Sequence, residues 1–208
     1  MKKRLHDKKA GIAILVALIL ISLAEIIFRA ITMGVDAMST ANFGEQLAVI
    51  ALAATILILT ARGKDRACFL CYSVWIGHFI FDQVLELPGL ICTWFIELGA
   101  SVVTPIALAG FMMTILSTIT IIAIGALLLE YLNDGSIYNR AFNALCVITV
   151  LLTVVSIFIN IYSVGIDGTA HFMLSIFTKL YRLTMVFLCS FFAYDSAKHQ
   201  LKKVNFSK

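Results

Sequence analysis

The sequence has few of the residues with which a soluble domain covers its surface and shapes its loops. Of its 208 residues, 13% are charged and two are proline, whereas 61% are hydrophobic. An ordinary soluble domain is about 25% charged and about 45 to 50% apolar. A water-soluble fold of this size cannot hide so much apolar surface, so the composition excludes a soluble protein and indicates a membrane protein.

Motifs for nucleotide hydrolysis and for the common catalytic sites are also missing. The chain contains no G-x-S-x-G nucleophile elbow, no H-E-x-x-H zinc motif and no nucleotide-binding fold. We see no internal repeat, long linker or soluble domain. We therefore predict no catalytic residue, no cofactor and no metal site, and we keep an intramembrane enzyme only as an alternative hypothesis.

Six apolar stretches are separated by loops too short to form a domain, and a membrane span takes about 20 such residues. The sequence thus predicts an all-α fold, a polytopic transmembrane helical bundle that occupies residues 1–208 as a single domain. The end of span three is expected at Pro88 and Gly89, a helix-ending pair. The six spans are predicted at about residues 10–32, 45–61, 67–87, 105–130, 138–164 and 172–194.

Basic residues predict the orientation, because loops on the cytoplasmic side carry an excess of Lys and Arg. With six spans, thirteen of the sixteen Lys and Arg residues fall on one side, and we place both termini there, in the cytoplasm. A seventh span would carry Arg140 and the basic C-terminal tail outside, against this rule. The apolar residues 90–104, which include Trp94, are therefore predicted to be a re-entrant or interfacial segment between spans three and four.

The net charge of +4 does not indicate a nucleic-acid partner. The basic residues flank apolar stretches and form no soluble basic face, so membrane topology explains them better. The predicted partner is the lipid bilayer, and the predicted location is a plasma membrane. Compact loops and the absence of an outer Asn-x-Ser/Thr sequon favour a bacterial source.

Five cysteines are an odd number, and Cys92 is the one expected outside, so an outer disulfide within the chain is not predicted. Cys68 and Cys71 form a C-x-x-C pattern at the cytoplasmic end of span three. We interpret them as small apolar residues at a helix contact. A redox pair is the alternative.

Besides Glu45, Glu130 and Arg140 at or near span ends, six charged side chains fall inside the predicted spans, where each costs roughly 2.5 to 3.5 kcal/mol at the bilayer centre. Three acidic groups match three basic ones, which indicates pairing. Glu25 and Arg29 are four residues apart with the acid first, so we predict a supporting ion pair on span one. The other four charges are Asp82, Glu86, Lys179 and Arg182.

His78, Asp82 and Glu86 recur every four residues on span three and therefore share one helix face. Depth can be counted at about 1.5 Å per residue from the outer end of each span. Asp82 is then about 7 to 8 Å deep and Lys179 about 10 Å, while His78 and Arg182 are about 14 to 15 Å deep. A polar layer in the outer half of the membrane, lined by spans one, three and six, is the simplest arrangement.

Two functions fit this predicted layer. In the first, it is a binding site open to the outside for a small solute or ion, which the protein binds or transports as the membrane subunit of a complex. Lys179 and Arg182 would contact an anionic group, or Asp82 and Glu86 a cationic one, and His78 would relay protons. In the second, the protein is a non-transporting accessory or scaffold protein, and the charges only hold the helices together.

Small residues at helical spacing predict close helix contacts. We expect these faces to meet other spans of this chain or a partner membrane protein. They are Ala10, Ala13, Ala17 and Ala24 in span one, and Gly110, Thr114 and Thr118 in span four.

Overall fold

A computed structural model of the chain describes residues 2–33, 40–99, 105–134, 139–164 and 169–198. Each of the helices in these ranges contains a stretch long and apolar enough to cross a bilayer, which confirms the predicted all-α fold with six spans. The helices are α1 (Lys2–Met33), α2 (Thr40–Ala61), α3 (Asp65–Gly99), α4 (Pro105–Asp134), α5 (Asn139–Val164) and α6 (Thr169–Lys198).

Helix α3 is longer than the sequence predicts. It runs through Pro88 to Gly99, so the predicted helix end at Pro88 and Gly89 is wrong, and residues 90–99 of the predicted re-entrant or interfacial segment continue the same helix. Proline within a helix costs about 3 kcal/mol through a lost hydrogen bond and a steric clash. The residues on both sides of Pro88 remain helical in spite of this cost. Residues 100–104 of the predicted segment lie outside the described residues.

The length of α3 has a consequence for its position in the membrane. Its 35 residues make a helix about 52 Å long, whereas the hydrocarbon core is about 30 Å thick. Even at a tilt of about 40° the helix would cover about 40 Å along the membrane normal. If the hydrocarbon begins at Ala67, the start of the predicted span, it ends about 30 Å further along an untilted helix, near Leu87. The rest of α3 then continues past the hydrocarbon.

The chain forms two compact units. Unit 1 comprises Met1–Trp75 and Thr169–Thr184, and unit 2 comprises Ile76–Gly168 and Met185–Lys208. Helices α1 and α2 thus belong to unit 1, and α4 and α5 belong to unit 2. Helices α3 and α6 contribute to both units.

Helices α1 and α2 of unit 1 pack along a seam of buried residues spaced alternately three and four apart, as in a coiled coil. Gln46 of α2 donates a hydrogen bond of 3.1 Å to Glu25 of α1. In an antiparallel register, this contact sets Leu18 opposite Ala53. Three residues of the predicted small face, Ala10, Ala13 and Ala24, are exposed. The buried seam consists of Leu15, Leu18, Ser22 and Glu25 on α1, and Val49, Ala53 and Ile56 on α2.

A tight turn joins α2 to α3 within unit 1. Gly63 adopts a left-handed conformation with φ of 68°, and Lys64 N–H donates to the Leu59 carbonyl at 3.0 Å, the pattern of a glycine-terminated helix. The Cys68 thiol lies 3.5 Å from the Thr60 hydroxyl and is buried. Cys68 therefore lies at a helix contact, as predicted, and all five cysteines are free thiols.

A ladder of paired hydroxyl groups joins α4 to α5 in unit 2. Residue numbers rise along α4 while those of the partner residues fall along α5, so the two helices are antiparallel. Thr118 on the same face of α4 is fully buried, and the predicted contact of this face with another span is confirmed. The three rungs are Thr114 with Ser156 at 3.3 Å, Ser117 with Thr153 at 3.1 Å, and Thr120 with Thr149 at 2.7 Å.

Helices α3 and α4 approach each other closely in unit 2 at Gly125. A Cβ atom added to Gly125 would lie 2.6 Å from two side-chain carbons of Ile80. The Ile80 side chain is β-branched and has little freedom to move aside. Only glycine fits at this contact.

Replacing Gly125 with alanine is expected to destabilise the protein by about 1 to 3 kcal/mol, because overpacking forces side chains or backbone to shift. Thermal unfolding of the detergent-solubilised protein measures this as a fall of roughly 2 to 12 °C in midpoint. Gly44→Ala is the matched control, because an added Cβ there has no atom within 4 Å. An equal response of the two variants would contradict the close contact.

Removing the α5 side of the hydroxyl ladder, by Thr149→Val, Thr153→Val and Ser156→Ala together, is expected to cost about 2 kcal/mol. Each intramembrane hydrogen bond contributes about 0.6 kcal/mol on average. The control combines Thr55→Val, Thr93→Val and Thr178→Val, whose exposed hydroxyls bond only to their own helix. We expect the control midpoint to stay close to wild type, and a comparable fall in both would disprove the ladder's role.

Candidate functional site

The residues predicted to form the polar layer belong to different units and differ in exposure. Glu25, Arg29, Lys179 and Arg182 belong to unit 1, whereas His78, Asp82 and Glu86 belong to unit 2. The four named side chains of unit 1 are mostly buried. Those of unit 2 are exposed or half-exposed.

Glu25 is the centre of a hydrogen-bonded cluster in unit 1. Arg29 donates to Oε1 of Glu25 from Nε at 2.9 Å and from Nη2 at 2.6 Å, so the ion pair expected from the four-residue spacing is formed. Gln46 donates to Oε2 of the same carboxylate at 3.1 Å. The Glu25 side chain is only 5% exposed, and these three donors stabilise a charge that hydrocarbon would not.

Gln46 is a functional partner that the sequence analysis missed. It is not charged, so a search for intramembrane charges passes over it. Its signal is positional, because Gln46 precedes Val49 by three residues and thus continues the buried seam of α2. A glutamine that continues an apolar seam is expected to have a polar partner on the facing helix.

Lys179 and Arg182 on α6 are buried, with 8% and 6% of their surfaces exposed. They are three residues apart and therefore neighbours on one helix face. The ring of Phe177 lies 5.8 Å from that of Phe28, so α6 contacts α1 at this level. Both cationic side chains have interaction partners within the protein.

Among the described residues of unit 1, the buried charged side chains are unequal in sign. Arg29, Lys179 and Arg182 are cationic, and Glu25 is anionic, while Glu45 at the start of α2 is exposed. An excess of positive charge within apolar helices is electrostatically unfavourable. Such an arrangement is suited to holding a negatively charged group.

His78 and Asp82 pair along α3 in unit 2. The His78 Nδ1 atom lies 2.7 Å from Asp82 Oδ2, and the two side chains are 73% and 47% exposed. Glu86 continues the face and is exposed. The predicted polar stripe on span three is therefore present as a stripe on the surface of the helix.

Gln83 lies on the buried side of α3 and was likewise not predicted from the sequence. Gln83 is 5% exposed, and its Nε2 donates to Glu86 at 3.4 Å. Its carbonyl oxygen has no hydrogen-bond partner. Within the described part of the chain, no group of three His, Cys, Asp or Glu side chains is arranged to hold a metal ion.

No protein-family model, curated protein or solved structure matches this chain. The class of protein follows from the fold itself, because six helices are each long and apolar enough to cross a bilayer. The chain is a multi-pass integral membrane protein with a buried charged cluster in unit 1.

Replacing Glu25 with alanine is expected to destabilise the protein by about 3 kcal/mol, because Arg29 is left largely buried without its counter-charge. The thermal midpoint should fall by roughly 6 to 12 °C. Adding Arg29→Ala should restore part of the loss. Glu45→Ala, which removes an exposed carboxylate near the same bilayer face, is the control and should change little. A double variant no more stable than Glu25→Ala would contradict the pairing.

Proposed function

We propose that this membrane protein binds a small anionic solute at Lys179 and Arg182 and transports it across a plasma membrane of bacterial type, as the membrane subunit of a complex. The observation that carries the proposal is the burial of these two cations side by side on α6. The proposed solute is a carboxylate or a phosphate oxyanion.

The energetic cost of the two cations supports a functional role. Each buried charge in a span costs roughly 2.5 to 3.5 kcal/mol, and like charges on neighbouring helical positions repel each other. The hydroxyl ladder between α4 and α5 holds two helices together without any charge. A purely structural contact thus does not require two adjacent cations.

The chemistry of the two side chains favours an oxyanion. The guanidinium of Arg182 presents a planar fork of N–H donors that matches a carboxylate or a phosphate, and Lys179 adds a compact charge. The Glu25 carboxylate is already held by Arg29 and Gln46. An incoming anion would add to, or displace, the present partners of Lys179 and Arg182.

The position of Lys179 supports access from the outer side. It follows the first residue of the apolar stretch Met173–Ala193 by six positions, which is about 9 Å along the helix. The positive-inside rule predicts that this end of α6 is the outer one. A solute from outside then has to enter about one third of the hydrocarbon thickness to reach the lysine.

The Glu25 cluster favours the second candidate function, a non-transporting scaffold or accessory protein. In that cluster, a buried carboxylate bonds to a side chain of its own helix and to one of a neighbouring helix, and it thereby fixes how the helices pack. If Lys179 and Arg182 serve the same purpose, their charges are structural and no solute is bound. The two functions predict different responses to an added anion.

The test is the thermal unfolding midpoint of purified protein in rising concentrations of inorganic phosphate and of succinate, with chloride at equal ionic strength as reference. At a concentration of about 100 times Kd, binding stabilises the folded state by about 2.7 kcal/mol, which corresponds to a rise of roughly 5 to 11 °C. Lys179→Gln and Arg182→Gln should abolish the rise while remaining folded. Arg140→Gln, which removes an exposed cation, should retain it.

The outcomes separate the alternatives. No rise with either oxyanion, together with a large loss of stability in both α6 variants, would contradict the proposal and support the scaffold function. If the midpoint rises only when a cation is added, and this rise disappears in Asp82→Asn, the result would contradict the anionic solute. It would favour the α3 carboxylates as the site.

A further inference from the structure

Helix α3 has an exposed face that continues from the hydrocarbon to the outer end of the helix. The spacing of its residues alternates between four and three, the pattern of a helix that packs along another helix. All are exposed except Asp82, which is half-exposed. This face, the α3 seam, consists of His78, Asp82, Leu85, Gly89, Cys92 and Ile96.

The polar residues of the α3 seam need a covering group. Counted from Ala67 at the cytoplasmic end, His78 is about 16 Å and Asp82 about 22 Å into a hydrocarbon core of about 30 Å. The surfaces of these side chains that the protein leaves uncovered, 73% and 47%, would face lipid in a single copy. Lipid chains offer no hydrogen bonds, so a polar partner is expected there.

We propose that two copies of this chain associate through the α3 seam. The His78–Asp82 contact uses one ring nitrogen of the histidine and one oxygen of the carboxylate. Each copy therefore still offers one ring nitrogen and one carboxylate oxygen. In a two-fold pair, His78 of each copy can donate to Asp82 of the other, since a two-fold interface joins the same patch on both subunits.

A glycine within the α3 seam allows the close approach that such a pair requires. A Cβ added to Gly89 has no atom within 4 Å. The helix surface is thus low and open at this point. Transmembrane helices associate where small residues let their backbones come together.

Cys92 provides a native reporter for this arrangement. It is a free and exposed thiol, and the orientation predicted from the basic residues places it outside the hydrocarbon. In the proposed pair, the two Cys92 residues face each other across helices whose axes are about 8 to 10 Å apart. A short thiol-specific crosslinker spans that separation.

The first experiment treats the full chain in proteoliposomes with bismaleimidoethane and analyses it on a denaturing gel. We expect a dimer band from the wild type and none from Cys92→Ser. The matched control moves the thiol by one residue, with Cys92→Ser and Ile91→Cys combined. Ile91 is exposed and lies about 180° around the helix from Asp82, so the dimer band should be lost again.

The second experiment measures dimerisation by energy transfer between labelled copies as the lipid-to-protein ratio is varied. His78→Leu and Asp82→Asn together should weaken association by about tenfold, because two reciprocal hydrogen bonds are lost. Leu151→Ala, an exposed position on α5, should leave it unchanged. Thermal unfolding confirms that each variant is folded, so a weaker signal reports association.

Three results would overturn the proposal. The first is a wild-type chain that stays monomeric at every lipid-to-protein ratio. The second is equal crosslinking through Cys92 and through the Ile91→Cys thiol, which indicates random collision. The third is a folded His78→Leu, Asp82→Asn variant that dimerises as strongly as the wild type.

Discussion

Hydrocarbon supplies no hydrogen-bond partner, and every polar group that this chain carries into its spans must find one elsewhere. The requirement explains why the hydroxyls of α4 and α5 face each other. It also explains why the carboxylate of Glu25 accepts from both Arg29 and Gln46. The helix contacts of both units are organised around such polar pairs, with apolar seam residues filling the space between them.

The charged residues satisfy this requirement in two different ways. In unit 1 they are buried, and Glu25 is neutralised along its own helix and bonded to the next one. On α3 the His78–Asp82 pair is local and leaves most of its surface uncovered. Buried charges suit a site that holds a solute, whereas uncovered charges on a membrane helix suit an interface. The two proposals therefore concern different surfaces of the protein and stand independently.

Features formed by residues of one helix could be predicted from the sequence more readily than features formed between helices. The Glu25–Arg29 pair and the His78–Asp82–Glu86 stripe follow from a four-residue spacing, because one helical turn brings such residues together. Gln46 and Gln83 could not be identified in this way, since their roles depend on which helix face is buried. The end of α3 was predicted wrongly, because a local rule for proline does not by itself decide where a helix ends.

The sequence alone determined that this is a membrane protein of six helical spans, since apolar length is a property of each segment by itself. It also predicted which charges fall within the apolar stretches, because that is read directly from the order of residues along the chain. Only the tertiary structure decided which side chains meet: the α4–α5 ladder, the Gly125–Ile80 contact and the seam of α1 with α2. Those pairings depend on helix rotation and register, which close packing between distant segments fixes.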